Sequence, residues 1–114
     1  MLKDIINEFR KQNGRHPLVL DNQQENDYCL WHCKHMALTQ VCQHTPNHLL
    51  HGKAEVVAYR SFYRDYYDAL QAIIFQDFAE SIGHRDILLF HDHFAGAFHV
   101  ENNIVWVTIR GWEK

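Results

Sequence analysis

One cysteine and one histidine in this sequence could together provide a nucleophile and a base. Cys29 follows Asn26 and Asp27, either of which can cap a helix, so we expect the thiol in the first turn of a helix. A helix N-terminus and a nearby imidazolium both lower the pKa of a thiol, and the thiolate is the reactive form. His93 is expected on the sheet face that this helix covers. The pair therefore predicts a thiol nucleophile with an imidazole base.

Polar side chains near this pair could complete a catalytic site. Gln23 or Gln24 lies just upstream of Cys29, and a side-chain amide in such a position can donate a hydrogen bond to an oxyanion. If the register of the later strands differs from the expected one, His99 with Asp92 is the alternative acid–base pair.

The segment Gln23–Cys29 (QQENDYC) and the pair His93-Phe94 resemble parts of papain-like thiol peptidases. In that superfamily a glutamine precedes the cysteine, the cysteine opens a helix, and the histidine lies on a later strand. The histidine segment is similar to that of the bacterial leader-processing branch. The resemblance implies hydrolysis of a peptide or isopeptide bond, with Cys29 attacking the acyl carbon. Leu30 departs from the small residue that many members have after the cysteine, and Thr108 is the nearest polar residue to the place of their third catalytic residue.

Cysteines and histidines also suggest a zinc site, because Zn²⁺ takes four such ligands in tetrahedral geometry. The side chains that could contribute are Cys29, His32, Cys33, Cys42, His44, His48, His51, His91 and His93. The first three lie at i, i+3 and i+4 of one predicted helix face. No CxxC pair is present and no spacing matches a zinc finger, so we expect no cofactor and keep zinc as an alternative.

Three tyrosines at four-residue spacing could form an interaction surface. Tyr59, Tyr63 and Tyr67 would line one stripe of a predicted helix, flanked by Arg60 and Arg64. Tyrosine and arginine are the residues that most often anchor protein interfaces. The stripe therefore predicts contact with a protein partner.

The elements that must position these residues follow from hydrophobic spacing. Leu2, Ile5, Ile6 and Phe9 predict a first helix that ends at Gly14. An extended piece over 17–20 and a polar loop over 21–26 follow. A second helix is expected from about Asp27 to Gln43 and a third from about Val56 to Ile82.

After the third helix the spacing changes to the period of two that indicates strands. Strands are expected over 87–90, 97–101 and 104–109, with turns at Ala95-Gly96 and Asn102-Asn103. The fold class is thus α+β, three helices followed by a three-stranded antiparallel β-meander. The expected core face of the sheet carries Leu89, His91, His93, Phe98, Val100, Val105, Val107 and Ile109. The expected wetter face carries Asp92, His99, Glu101, Trp106 and Thr108.

Composition limits the class of protein. The chain has 114 residues with net charge −3, which fits one compact domain over residues 1–114 and argues against binding of duplex nucleic acid. Three cysteines are an odd number, too few for a disulfide framework. With no signal peptide and no apolar run of membrane length, we expect a cytoplasmic protein that does not contact membranes.

Size, charge and the tyrosine stripe together favour a small cytosolic binding or inhibitor module. Immunity proteins and phage-encoded inhibitors are similar in size and charge. The papain-like thiol hydrolase and the zinc-binding domain are the two alternatives.

Overall fold

A computed structural model describes residues 1–18 and 22–113 of the chain. It contains helices and a three-stranded antiparallel sheet, so the predicted α+β class is confirmed. Its elements are α1 (Leu2–Gln12), α2 (Gln23–Thr39), α3 (Asn47–Leu50), β1 (Ala54–Ser61), α4 (Tyr66–Ala72), a π-helical segment (Ile73–Phe78), α5 (Ile82–Phe90), β2 (His93–Glu101) and β3 (Ile104–Trp112). The predicted order of three helices followed by a meander is wrong, because β1 precedes α4. Within the described ranges no helix is long and apolar enough to span a membrane.

The sheet has the order β1-β3-β2, with β3 in the centre and antiparallel to both neighbours. The β2–β3 hairpin is as predicted, with Asn102 and Asn103 forming its two-residue turn. Both have positive φ, 53° and 62°, which is the type I′ conformation that asparagine tolerates. The register is also as predicted, since Glu101 pairs with Ile104 and His99 with Trp106.

The main hydrophobic core lies between one face of the sheet and the helices α1, α4 and α5 with the π-helical segment. The predicted stripe of α1 is buried in it, and Gly14 follows that helix at φ +73°. From the sheet, the core receives Val56, Ala58, Phe94, Val105, Val107 and Ile109. Side chains of β1 and β3 thus alternate between this core and the opposite face.

The opposite face of the sheet is covered by α2, so the prediction of a wetter face is wrong for its central residues. Cys33, Met36 and Ala37 of α2 pack on Trp106, which is buried. Thr108 is also fully buried beneath the helix. A polar residue in a strand indicates solvent only when no helix covers it, and the strand pattern alone does not say where a helix packs.

The second helix begins earlier than predicted. Asn22 is its N-cap, and the Asn22 side chain accepts a hydrogen bond from the backbone N–H of Glu25. The predicted polar loop over 21–26 is therefore wrong for 23–26, which are helical, while Asp21 lies outside the described residues. Val19 and Leu20 of the predicted extended piece lie outside them as well.

The predicted third helix is wrong over its first ten residues, 56–65. Val56–Ser61 belongs to β1, and the helix begins only at Tyr66, after Asp65 caps it. The β-branched and aromatic residues of β1 favour a strand, but their spacing also continues the helical stripe that follows. Ile87–Phe90, expected as a strand, is the end of α5.

The predicted turn at Ala95-Gly96 is wrong because both residues lie inside β2. Close packing explains the glycine at position 96 instead, because a Cβ there would lie 3.3 Å from a methyl group of Leu2. The continuous strand changes the predicted faces. His93 lies on the α2 side, opposite Phe98 and Val100, and Leu89 and His91 are not on a strand.

Candidate functional site

Cys29 is not placed as a nucleophile. Because α2 begins at Gln23, Cys29 lies in the second turn of the helix rather than the first. Its side chain is fully buried, and this burial raises the pKa of the Cys29 thiol well above its usual range, although Arg110 beside it acts in the opposite direction. A catalytic thiol needs the opposite shift.

His93 lies on the same side of the sheet as α2 but contacts other residues. Its ring stacks on Trp112 at 5.9 Å between centroids, and its Nε2 lies 3.8 Å from Asp92. Within the described ranges no hydrogen bond joins Cys29 to His93.

The remaining predicted catalytic residues do not converge on Cys29. Gln23 donates a hydrogen bond to Asp27 at 2.8 Å, and Gln24 is exposed. Nε2 of His99 lies 3.4 Å from Oε1 of Glu101. The carboxylate next to His99 is therefore that of Glu101 and not, as predicted, that of Asp92.

Next to Cys29 is a buried ionic cluster that the sequence analysis missed. Arg110 of β3 donates from Nη1 to Glu25 of α2 at 2.9 Å, and its Nε lies 3.6 Å from Glu55 of β1. All three side chains are buried. The second contact is too long for a hydrogen bond and is an ion pair. The cluster therefore joins a helix to two strands across the α2 side of the sheet.

The same carboxylates hold the chain between α2 and β1. Glu55 accepts hydrogen bonds from the Thr45 backbone N–H at 2.8 Å and the Thr45 hydroxyl at 2.6 Å, and lies 3.1 Å from Nδ1 of His44. Oε1 of Glu25 lies 3.6 Å from Nδ1 of His51 and 3.6 Å from Nζ of Lys53. Two of the loop histidines considered as zinc ligands thus face carboxylates.

Cys33, the second cysteine of the helix, is also a structural residue. Its Sγ lies 3.2 Å from the Thr108 hydroxyl and 3.4 Å from the Ala97 carbonyl oxygen. Burial raises the pKa of the Cys33 thiol to about 12, more than the Thr108 hydrogen bond lowers it. The neutral thiol is the form that this site holds.

A metal centre finds no support in the arrangement. In the part of the chain that the structure describes, no group of three or more His, Cys, Asp and Glu side chains is placed to hold a metal ion. His32, at the centre of the predicted helical ligand set, has its Nε2 2.6 Å from the Gln43 carbonyl oxygen.

The three tyrosines do not form a helical stripe, because one lies in a strand, one in a connection and one in a helix. Tyr59 is in β1 and stacks on Trp106 at 5.0 Å. Tyr63 is in the connection between β1 and α4 and is 91% exposed. Tyr67 lies in the first turn of α4.

A surface concavity of about 340 Å³ lies between the end of β1 and the start of α4, and we call it the β1–α4 concavity. It is lined by Arg60, Ser61, Phe62, Tyr63, Arg64, Asp65, Asp68, Ala69 and Ala72. Arg60 is held by Asp77 of the π-helical segment at 2.9 Å. The Arg64 guanidinium lies 5.7 Å from the centre of the Tyr63 ring. Three of the five predicted binding residues therefore line one site, although the helical spacing that suggested them does not exist.

A second concavity of about 460 Å³, the α2 groove, lies on the outer side of α2. It is lined by Gln24, Asp27, Tyr28, Trp31 and Leu49. The first four have the i, i+3, i+4, i+7 spacing of a single helix face. The sequence contains this spacing, but the four residues share a helix face only if the helix already includes Gln24, and the predicted helix began near Asp27.

The comparisons with known proteins give no relative: no protein-family model matches the chain, and no curated protein is significantly similar to it.

Proposed function

We propose that this protein is a small binding module that acts by contact with a protein partner, as inhibitor and immunity proteins do. The β1–α4 concavity is the contact surface. Tyr63 and Arg64 are its anchors, and Arg60 forms its wall.

The exposure of Tyr63 carries the proposal. At 91% exposure the side chain contributes almost nothing to the core. Burying an aromatic side chain of this kind against a partner stabilises a complex by about 1.5–3 kcal/mol. A tyrosine that is fully projected at the rim of a concavity is thus better explained by binding than by folding.

The two arginines support the same proposal. Asp77 fixes the guanidinium of Arg60, so that side chain loses little rotational freedom on binding. Arg64 packs on Tyr63 and, among residues 1–18 and 22–113, has no ion pair. Its guanidinium can therefore donate two parallel hydrogen bonds to a carboxylate of the partner.

The other two tyrosines take different places in the proposal. Tyr67 is partly exposed on α4, and its hydroxyl accepts a hydrogen bond from Gln71, so it belongs to the rim of the contact. Tyr59 faces the α2 side of the sheet, where it stacks on Trp106. We leave Tyr59 outside the contact.

The thiol hydrolase and the zinc domain stay predictions without supporting geometry. The thiol of Cys29 is buried with a raised pKa, and a substrate has no access to it. For zinc, the described residues provide no set of three ligands.

The test begins with capture of the partner on immobilised protein and ends with a measured affinity. The expected result is one partner at near-equal amounts, purified and titrated by calorimetry. The double variant Tyr63→Ala/Arg64→Ala should weaken binding at least 30-fold, since removing two anchor side chains costs about 2 kcal/mol or more.

Lys34→Ala is the matched control, because it also removes an exposed cation but lies on α2. It should change the affinity less than twofold. Both variants should keep the melting temperature of the parent protein. Failure to capture a stoichiometric partner, or an affinity that the double variant leaves unchanged, would overturn the proposal.

A further inference from the structure

A pocket of about 340 Å³ lies where the chain that leaves α1 meets the chain that leaves α5, and we call it the α1–α5 pocket. Polar and apolar atoms contribute about equally to its walls. Its volume lies within the range of small-ligand sites. The pocket is lined by Arg10, Gly14, Arg15, His16, Leu18, His91 and Asp92.

The guanidinium of Arg10 spans the two walls of this pocket. Its Nε donates a hydrogen bond to the His16 carbonyl oxygen at 2.9 Å on one wall. Its Nη1 donates to the Leu88 carbonyl oxygen at the end of α5 at 2.7 Å, and lies 3.5 Å from the His91 carbonyl oxygen on the other wall. Among the described residues Nη2 makes no hydrogen bond, and it is not enclosed. The fold therefore uses two of the three nitrogens and leaves the third for a ligand.

The positive charge of Arg10 is buried without a carboxylate beside it. Arg10 is 3% exposed, and in the part of the chain that the structure describes it has no ion pair. Arg110 is equally buried but has both Glu25 and Glu55 next to it, as is normal for a buried charge. The carbonyl dipoles at the end of α5 compensate only part of a full charge. Arg10 is thus the buried cation that lacks an anion.

Arg15 adds a second positive charge to the same pocket. Its guanidinium lies 5.3 Å from the centre of the Phe90 ring, and within the described ranges it too has no ion pair. Burial and the charge of Arg15 both lower the pKa of the Arg10 guanidinium, although a guanidinium stays charged in proteins. The two cations are therefore close enough to repel each other, and an anion between them relieves that repulsion.

Asp92 determines how much negative charge the pocket can take. Its side chain is 64% exposed, and its Oδ1 lies 3.8 Å from Nε2 of His93, which is not a lining residue. With neutral histidines, two guanidiniums and this carboxylate leave one uncompensated positive charge. This balance favours an anion of charge −1 over a phosphate dianion.

We propose that the α1–α5 pocket binds the carboxylate group of a small organic acid. Nη2 of Arg10 and the guanidinium of Arg15 donate hydrogen bonds to the carboxylate oxygens, and Leu18 supplies an apolar wall for the alkyl chain. The pocket shares no lining residue with the β1–α4 concavity, so the proposal does not depend on the proposed protein contact.

The test titrates the protein with butanoate and with butanamide, its neutral isostere, at constant ionic strength, and follows the backbone amide signals by NMR. Butanoate should bind at least tenfold more tightly than butanamide, because the two differ in charge. The largest shifts should lie in residues 10–18 and 88–92. Inorganic phosphate, titrated in parallel, should bind more weakly than butanoate. The proposal is overturned if butanoate does not saturate the protein, binds no better than butanamide or binds more weakly than phosphate.

Variants of the exposed charges show whether the pocket itself holds the acid. Arg10 is buried against α5 and is left in place. Arg15→Gln should weaken butanoate binding at least fivefold. Lys11→Gln is the matched control, because it removes an exposed cation of α1 that does not line the pocket, and it should change the affinity less than twofold. Asp92→Asn should strengthen binding, since it removes a negative charge from the rim. An affinity that Arg15→Gln leaves intact, or that Asp92→Asn lowers, contradicts the site.

Discussion

At the scale of single residues, burial determines what the cysteines do. Both helix cysteines are fully buried, and their thiol pKa values are raised. The sequence motif around Cys29 is compatible with a nucleophile. It does not show that α2 packs on the sheet and so buries the thiol. An amino-acid pattern gives the residue type and its spacing, while reactivity follows from the environment.

The raised thiol pKa values predict a loss of stability in alkaline solution. Between the ordinary thiol pKa and about 12, Cys33 keeps its proton in the folded protein and loses it in the unfolded chain. The folded state then binds more protons, so the free energy of unfolding falls as the pH rises, by about 1.4 kcal/mol per pH unit for each such thiol. Urea unfolding at pH 9 and pH 10 measures this slope.

Other groups also titrate in this range, so the comparison is made with Cys33→Ala. From pH 9 to pH 10, the free energy of unfolding of this variant should fall by about 1.4 kcal/mol less than that of the parent protein. Equal slopes for the two proteins would show that the thiol proton is not held by the fold.

At the scale of elements, local and non-local structure were predictable to different degrees. The β2–β3 hairpin depends on two adjacent asparagines, and its turn and register were predicted correctly. The position of β1 and the covering of the sheet by α2 depend on contacts between distant segments. The link between Glu25 and Arg110 spans 85 residues, and no local pattern indicates it.

The hairpin turn predicts an asymmetric response to substitution. Asn103 has φ +62°, a conformation that glycine adopts readily and that β-branched residues strongly disfavour. Asn103→Val should therefore lower the free energy of unfolding by about 1–2 kcal/mol, while Asn103→Gly should change it little. Denaturant unfolding checks both, and similar stabilities for the two variants would contradict the positive-φ turn.

The ionic cluster predicts that its carboxylate on α2 is a major contributor to stability. Glu25→Gln removes the charge next to the buried Arg110 and should cost about 3 kcal/mol, because it leaves a buried guanidinium poorly compensated. Glu101→Gln removes a more exposed carboxylate, which pairs with His99, and should cost less than about 1 kcal/mol. Comparable losses in the two variants would refute a central role for the cluster.

At the scale of the whole molecule, the sheet separates two sides with different features. One side carries the main core and, at its margin, the β1–α4 concavity with Arg60 and Asp77. The other carries the ionic cluster beneath α2 and the α2 groove on that helix's outer side. Arg60, Tyr63 and Arg64 were predicted from a helical spacing that the structure does not have. They line one concavity because they lie close together in the chain at the end of β1.

Hydrogen–deuterium exchange of the protein with and without its captured partner tests the central claim most directly. Protection on binding should be concentrated in residues 60–69, around the exposed ring of Tyr63, with little change over α2. Protection over α2 or the ionic cluster, with none in residues 60–69, would contradict it.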